Sequence, residues 1–582
     1  MRTAILTLLF FTSFLTAFGQ KQKTYCNPIN LDYGYTPYES FTEWGKHRAT
    51  ADPVIVNYKG DFFLFSTNQS GYWHSPDMLN WKFEERKFLR PWNKTKDDLC
   101  APGVGIIGDT MVVFGSTYTK NFTLWGSTDP KGNKWFPLVD SLEIGGWDPA
   151  FFTDDDDGKF YMYNGSSNNY PMYGVELDRK TFKPKGTRMP MYLLESWRYG
   201  WQRFGEYMDN TFLDPFAEGA WMTKHNGKYY FQYGAPGTEF SGYSDGVVVG
   251  NKPLFYDTQF TPQSDPLSYK GGGFSRGAGH GATFQDNAKN YWHISTSIIC
   301  VKNTWERRMG IWPTGFDQDD VIWTNTAFGD YPLYLPSERK EKGPAGPGWM
   351  LINYKKPVTV SSTLGGFYAN NSVDESIKTY WSAKTGNSGE WIQTDLGSLA
   401  TVNAIQINYA DQDAEFLGKQ TGIFHQYQIL TSTDGKKWTL LVDKSKNKTD
   451  VPHDYIELQK PVKTRYIKMV NLHMPTGKFA ISGFRVFGNG NGEKPSAVKN
   501  LIILRTEKDK RSAYIKWQPV DNAFAYNLYY GTAPDKLYNC IMIHDFNEHW
   551  FKAMDSQKAY YFAIEAINEN GVSAKTAVKK IE

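Results

Sequence analysis

The sequence predicts an all-β chain: a five-unit radial β structure followed by two smaller β units. Three observations carry this. A strand–turn–strand pattern recurs five times before residue 336, headed near Asp52, Ala101, Asp148, Glu218 and Gly279. Successive heads are roughly 45–70 residues apart, the spacing of propeller blades with insertions. No long stretch shows a 3.6-residue apolar period; aromatic residues, favoured in strands, make up 16% of the 582 residues.

Each unit has the same grammar. "ADPVIVNYKGDFFLFST", "WDPAFFTDDDDGKFYMYNG" and "AEGAWMTKHNGKYYFQYG" each give a carboxylate, a short apolar strand, a Gly-containing turn and an aromatic-rich strand. "APGVGIIGDTMVVFGST" and "GHGATFQDNAKNYWHISTS" repeat the pattern without the leading acid. Innermost propeller strands line a central channel, so Asp52, Asp148 and Glu218 are expected to converge there from equivalent positions. The insertion "ESWRYGWQRFGEYMDNTFLD" between the third and fourth heads is either a wall or lid of a site or a surface excursion with its own packing.

The charged, Gly/Pro-rich "ERKEKGPAGPGW" then marks a linker. Residues 350–489 alternate apolar and polar residues in short runs, as a two-sheet sandwich does. "GNGNGEKPSA" marks a second boundary, and residues 494–582 again read as short alternating strands. Residues 1–19 read as a secretory signal: Arg2, the apolar "AILTLLFFTSFLTAF", then Ala17-Phe18-Gly19. No later stretch is long and apolar enough for a span, so a secreted or periplasmic protein is expected. Sixty-four basic against 61 acidic residues give no footprint for nucleic acid. Four scattered cysteines (Cys26, Cys100, Cys300, Cys540) form neither a disulfide framework nor a metal-ligand spacing.

Three carboxylates in one pocket cannot all keep ordinary pKa values. Like charges hold at least one protonated near neutral pH. A protonated acid facing an ionised base is the machinery of glycosidic-bond hydrolysis. Glu218, between Phe216 and Trp221, has the more apolar setting, which favours its neutral form.

On the three acid-headed segments, residues 24–336 resemble glycoside hydrolase family 43, a five-bladed β-propeller family. The resemblance implies Asp52 as general base, Glu218 as general acid and Asp148 as the residue that raises and orients the acid, with inversion at the anomeric carbon. It implies plant-type polysaccharide or oligosaccharide substrates: β-xylosides, α-L-arabinofuranosides or β-1,3-galactan cleaved from the chain end. A non-catalytic glycan-binding propeller is the rival reading. Trp73 is either a sugar-stacking face or a blade-packing residue, and Trp147 a rim residue. His280, at the fifth head, aims at the channel; some family members use a His there to touch a cation, often calcium, through water, and no other cofactor is implied. Alternation lets only one of Arg307 and Arg308 face the channel, and Arg308 is the one expected to meet a substrate hydroxyl or carboxylate. Cys100-Ala101-Pro102 stands where the family often has Trp-Ala-Pro, which alters one pocket wall. The acidic run 154–157 reads as a solvated hairpin turn rather than a calcium loop. "SVDESIKTYWSA", "GEWIQTDLG" and "TRYIKMVNL" resemble the discoidin (factor V/VIII C-type) sandwich, a carbohydrate-binding fold in some proteins. Trp517, "YNLYYG" and "YYFAIEAIN" resemble fibronectin type III.

Overall fold

The computed structural model describes residues 22–88, 99–116, 123–142, 144, 146–255, 259–335 and 346–582. The signal segment and most of the first linker lie outside these residues. No α-helix occurs among them, only short 3-10 turns and strands.

Five four-stranded antiparallel sheets follow one another along the chain, each with its strands in sequence order. Their first strands are Val54–Tyr58, Cys100–Ile107, Ala150–Thr153, Glu218–His225 and Arg276–Gln285. Each first strand contacts the first strand of the next sheet, and the fifth contacts the first, so the ring closes. This is a β-propeller, with the strand heads gathered at one mouth of the channel. Thr24–Tyr25 pairs with Leu333–Tyr334, tying the two ends of the ring together.

The heads share one backbone device. Asp52, Ala101, Asp148, Gly219 and His280 all have left-handed φ, between 43° and 68°. In every sheet the residue two positions later is in register with the second strand: Val54 with Phe65, Gly103 with Phe114, Ala150 with Tyr163, Trp221 with Gln232, Ala282 with Ile294. The equivalent residues are therefore Asp, Ala, Asp, Gly and His. Glu218 sits one position earlier, at a bulge between Glu218 and Trp221. The expectation that all three acids occupy one repeat position holds for Asp52 and Asp148 and fails for Glu218. The same shift recurs at Cys100/Gly103 and Gly279/Ala282, so the fourth sheet differs in carrying its acid on the residue before the left-handed one.

Hydroxyls lock the strained heads to the preceding sheet. The Asp52 amide donates to Thr296 Oγ1 (3.0 Å), the Ala101 amide to Thr67 Oγ1 (2.7 Å) and the Asp148 amide to Ser116 Oγ (2.6 Å). Each acceptor lies at or just beyond the end of the second strand of the preceding sheet. A left-handed non-glycine residue costs of order 1–3 kcal/mol and persists where its surroundings over-determine it, as these bonds do.

Residues 350–489 form a sheet system whose long strands, Trp391–Tyr409 and His453–His473, break register part-way, and its apolar core is separate from the propeller's. The last unit faces a three-stranded sheet (Lys499–Arg505, Ala513–Gln518, Glu548–Phe551) with one built on Ala525–Gly531 and Tyr560–Asn568. Its core is continuous with that of the propeller. The insertion after the third sheet makes that joint. Arg198 forks onto Asp555 (3.1 and 3.0 Å), Arg203 meets Asp509 (2.5 Å), and Trp201 is fully buried. Around residues 195–203 the insertion is a dock for the last unit.

Candidate active site

Asp52, Asp148 and His280 project from their left-handed heads into one buried pocket, and Glu218 joins them from its bulge. His280 Nδ1 lies 3.2 Å from Asp52 Oδ1 and 3.9 Å from Asp148 Oδ2. Asp148, Glu218 and His280 each present a polar atom within 4.8 Å of the other two. The Gly219 amide donates to Asp148 Oδ2 (3.3 Å), and the Tyr243 hydroxyl to Glu218 Oε1 (2.5 Å). Thr67 Oγ1 donates to Asp52 Oδ2 (2.6 Å) while accepting from Ala101, so one hydroxyl couples the base to the second sheet. Gly219 is required twice over: its φ is +68°, and a β-carbon there would sit 2.7 Å from the His280 ring.

Burial and charge separate the three acids. For Asp52, burial pushes the pKa up, but His280, Arg307 and the Thr67 hydroxyl together bring it below the ordinary carboxylate value. Asp148 is raised to about 6, by burial and by Asp52, against the pull of His280. Glu218 is raised to about 8, by burial first and then by the charge of Asp148. Burial alone would lower His280, but the charges of Asp52, Asp148 and Glu218 outweigh burial and raise it, favouring the imidazolium. Near neutral pH the pocket therefore holds an ionised Asp52 and a protonated Glu218.

Several expectations change. Trp73 is fully buried, gives its indole N–H to Asp32 (2.6 Å) and has Lys419 5.6 Å from its ring centroid. It packs the first sheet and offers no stacking face. Trp147, directly before Asp148, is 41% exposed. The two arginines do face opposite ways, but in reverse. Arg307 is the one beside the acids: Nη1 lies 3.7 Å from Asp52 Oδ1 and donates to Thr238 Oγ1 (2.7 Å), with the guanidinium over Trp305. Arg308 turns into the next unit, donating to His453 Nε2 (3.0 Å), the Arg48 carbonyl (2.7 Å) and Asp411 (3.2 Å). Acceptors from a segment more than 100 residues later decide the choice, which alternation within the strand cannot do. Thr67, Tyr243 and Arg307 are site residues missed from sequence. The recurrent Ser/Thr at the close of "FLFST", "VVFGST" and "HISTS" was the available signal for the hydroxyl locks.

The channel cation that the resemblance implies would be touched by His280 through water. Asp148, Glu218 and His280 each present a polar atom within 4.8 Å of the other two, and the buried Nδ1 of His280 has no hydrogen-bond partner, so these residues would hold such an ion with water completing its oxygen shell. At the acidic hairpin, Lys224 Nζ sits 2.6, 2.8 and 2.7 Å from Asp154, Asp155 and Asp156, so a side-chain ammonium already fills the place of an ion. All four cysteines are free thiols.

Residues 47–322 match the family model described as glycosyl hydrolases family 43, and residues 357–483 match the F5/8 type C domain. The chain thus contains a family 43 glycosyl hydrolase domain followed by a C-type (discoidin) domain. No curated protein matches it. Among solved structures it is similar to the GH43 BlXynB protein from Bacillus licheniformis (14% identity, TM-score 0.41, covering 96% of this chain and 98% of that one). It is also similar to a xylan beta-1,4-xylosidase from Bacillus halodurans (14%, 0.39, 80% and 100%) and an alpha-L-arabinofuranosidase from Clostridium thermocellum (19%, 0.35, 47% and 93%). These scores are low, and the propeller is defined by its own five sheets.

Proposed function

We propose that the chain is an exported, inverting glycoside hydrolase. Asp52 takes a proton from the attacking water, Glu218 protonates the departing glycosidic oxygen, and Asp148 keeps Glu218 protonated and oriented. The observation that carries this reading is the split protonation of one pocket. Burial and Asp148 raise Glu218 to about 8, while His280, Arg307 and Thr67 hold Asp52 ionised. Arg307 braces the base, and its Nε, buried without a hydrogen-bond partner, is a donor for a substrate hydroxyl. No step is routed through a metal ion.

The substrates proposed are plant-type glycans: β-xylosides, α-L-arabinofuranosides or terminal β-1,3-galactosides, with Trp147 at the pocket rim. The C-type domain is proposed to bind glycan, and the last unit to be a fibronectin type III spacer that packs on the propeller. Hydrolysis of aryl xylosides, arabinofuranosides and galactosides identifies the sugar. Proton NMR of the first-formed product then tests the mechanism: the anomer opposite to the substrate's is expected. Net retention would contradict a base at Asp52 and require it to act as a nucleophile.

A further inference from the structure

The acid has a built neighbourhood on one side. The second strand of the third sheet, Phe160–Asn164, runs antiparallel to the first and so ends at the channel mouth. The loop after it is stitched to the segment leading into Glu218. Ser167 and Ala217 exchange both backbone hydrogen bonds (3.0 Å each), and Asn168 Nδ2 donates to the Asp214 carbonyl (2.8 Å). The Gly165 amide donates to the Trp147 carbonyl, fastening the same loop beside Asp148. Turns orient its tip: Ser167 Oγ accepts from the amides of Asn169 and Tyr170, and Asn210 Oδ1 from those of Phe212 and Leu213. On these two stitched segments Tyr170 is 68% exposed, Phe212 95% and Leu213 56%.

Exposed large apolar side chains that share one stretch of surface mark binding sites. Tyr170 follows Ser167 by three residues, and Phe212 and Leu213 precede Glu218 by six and five, on segments paired at Ser167 and Ala217. Protonation by Glu218 requires the departing oxygen to lie against its carboxyl group, so whatever follows that oxygen extends over the chain beside Glu218. Pyranose and furanose rings present C–H faces that pack on aromatic rings.

We infer that Tyr170, Phe212 and Leu213 form a leaving-group subsite that binds the sugar residues beyond the scissile bond, so that the enzyme favours oligosaccharide or polysaccharide chains over glycosides with a small leaving group. The inference rests on Glu218 being the acid. It divides the insertion, which the sequence leaves as either a wall or lid of a site or a surface excursion: residues 195–203 dock the last unit, and Phe212 and Leu213 lie in the stretch just before the fourth sheet.

The test compares substrates with and without a sugar leaving group. The probes are β-D-xylopyranosyl fluoride with xylotetraose, α-L-arabinofuranosyl fluoride with arabinotetraose, and β-D-galactopyranosyl fluoride with β-1,3-galactotetraose, using the pair that the wild-type protein turns over. A fluoride needs neither the acid nor a leaving-group subsite. Tyr170→Ala/Phe212→Ala is expected to lose at least about tenfold in kcat/KM on the tetrasaccharide and to stay within about twofold on the fluoride. Equal losses on both, or no loss on either, would overturn the subsite. Phe212→Ser alone guards against misfolding, since Phe212 is almost wholly exposed; a smaller loss confined to the tetrasaccharide is expected. Wild-type protein that hydrolyses none of these fluorides would instead overturn the hydrolase reading, and the subsite with it.

Discussion

Two clusters of buried charge lie on either side of the same strand. On one side, Arg307 faces Asp52, His280, Asp148 and Glu218, where acids outnumber the partners that could neutralise them. On the other, Arg308 and Arg48 meet Asp411 and Asp450 of the C-type domain. Arg48 forks onto Asp450 (2.5 and 2.9 Å), both side chains being nearly inaccessible. Burial opposes ionisation of Asp450 as it does that of Glu218, but Arg48 overrides it and Asp450 ends below the ordinary carboxylate value. Glu218, buried where the charge of Asp148 outweighs that of His280, ends near 8. A matched cluster joins two domains; an unmatched one stores a proton. The difference lies in partner count and sign.

Breaking each cluster should therefore have different consequences. The largest effect is expected on turnover. Glu218→Gln and Asp52→Asn should each lower kcat on unactivated glycosides by about 10²–10⁴-fold in a protein that still folds. Near-normal turnover in either variant would remove the acid–base assignment.

Next is the matched cluster. Arg48→Ala or Asp450→Ala removes the forked pair and leaves its buried partner with a weaker neighbour only, His425 for Asp450 or Asp411 for Arg48; breaking such a pair costs up to about 3–5 kcal/mol, read as a lower denaturation midpoint in urea. An unchanged midpoint would mean that this joint contributes nothing to stability.

Smaller, and opposite in sign, is the effect of neutralising the unmatched cluster. A carboxyl whose folded pKa is raised contributes stability below its unfolded value, near 4.5, and loses it as pH climbs through about 8. Glu218→Gln should accordingly melt about 2 °C or more above the wild type at pH 8, with the gap closing at pH 4. A gap independent of pH would show that ionisation of Glu218 is not its source.

The fold and the two aspartates were legible because they follow from local rules. Asp-Pro before an apolar strand marks a strand head, and repetition of the unit implies that distant heads meet. Glu218 was found as a residue but misplaced by one position, because a bulge leaves little trace in apolar patterning. Arg307 and Arg308 were separated correctly and assigned wrongly. Trp73 misled because a strand tryptophan reads the same whether it packs a sheet or lines a pocket, and Asp32 and Lys419, which cover it, come from other elements. What stayed hidden depends on contacts between segments far apart in sequence.

The most direct measurement of the stored proton is the pH dependence of kcat/KM for a glycoside with a sugar leaving group, set beside hydrolysis of the matching glycosyl fluoride by Glu218→Gln. The wild type is expected to lose activity on an alkaline limb within about one unit of pH 8, and the variant, which carries no ionisable group there, to lack that limb. A wild-type limb below about pH 6, or the same alkaline limb in the variant, would contradict Glu218 as the protonated acid.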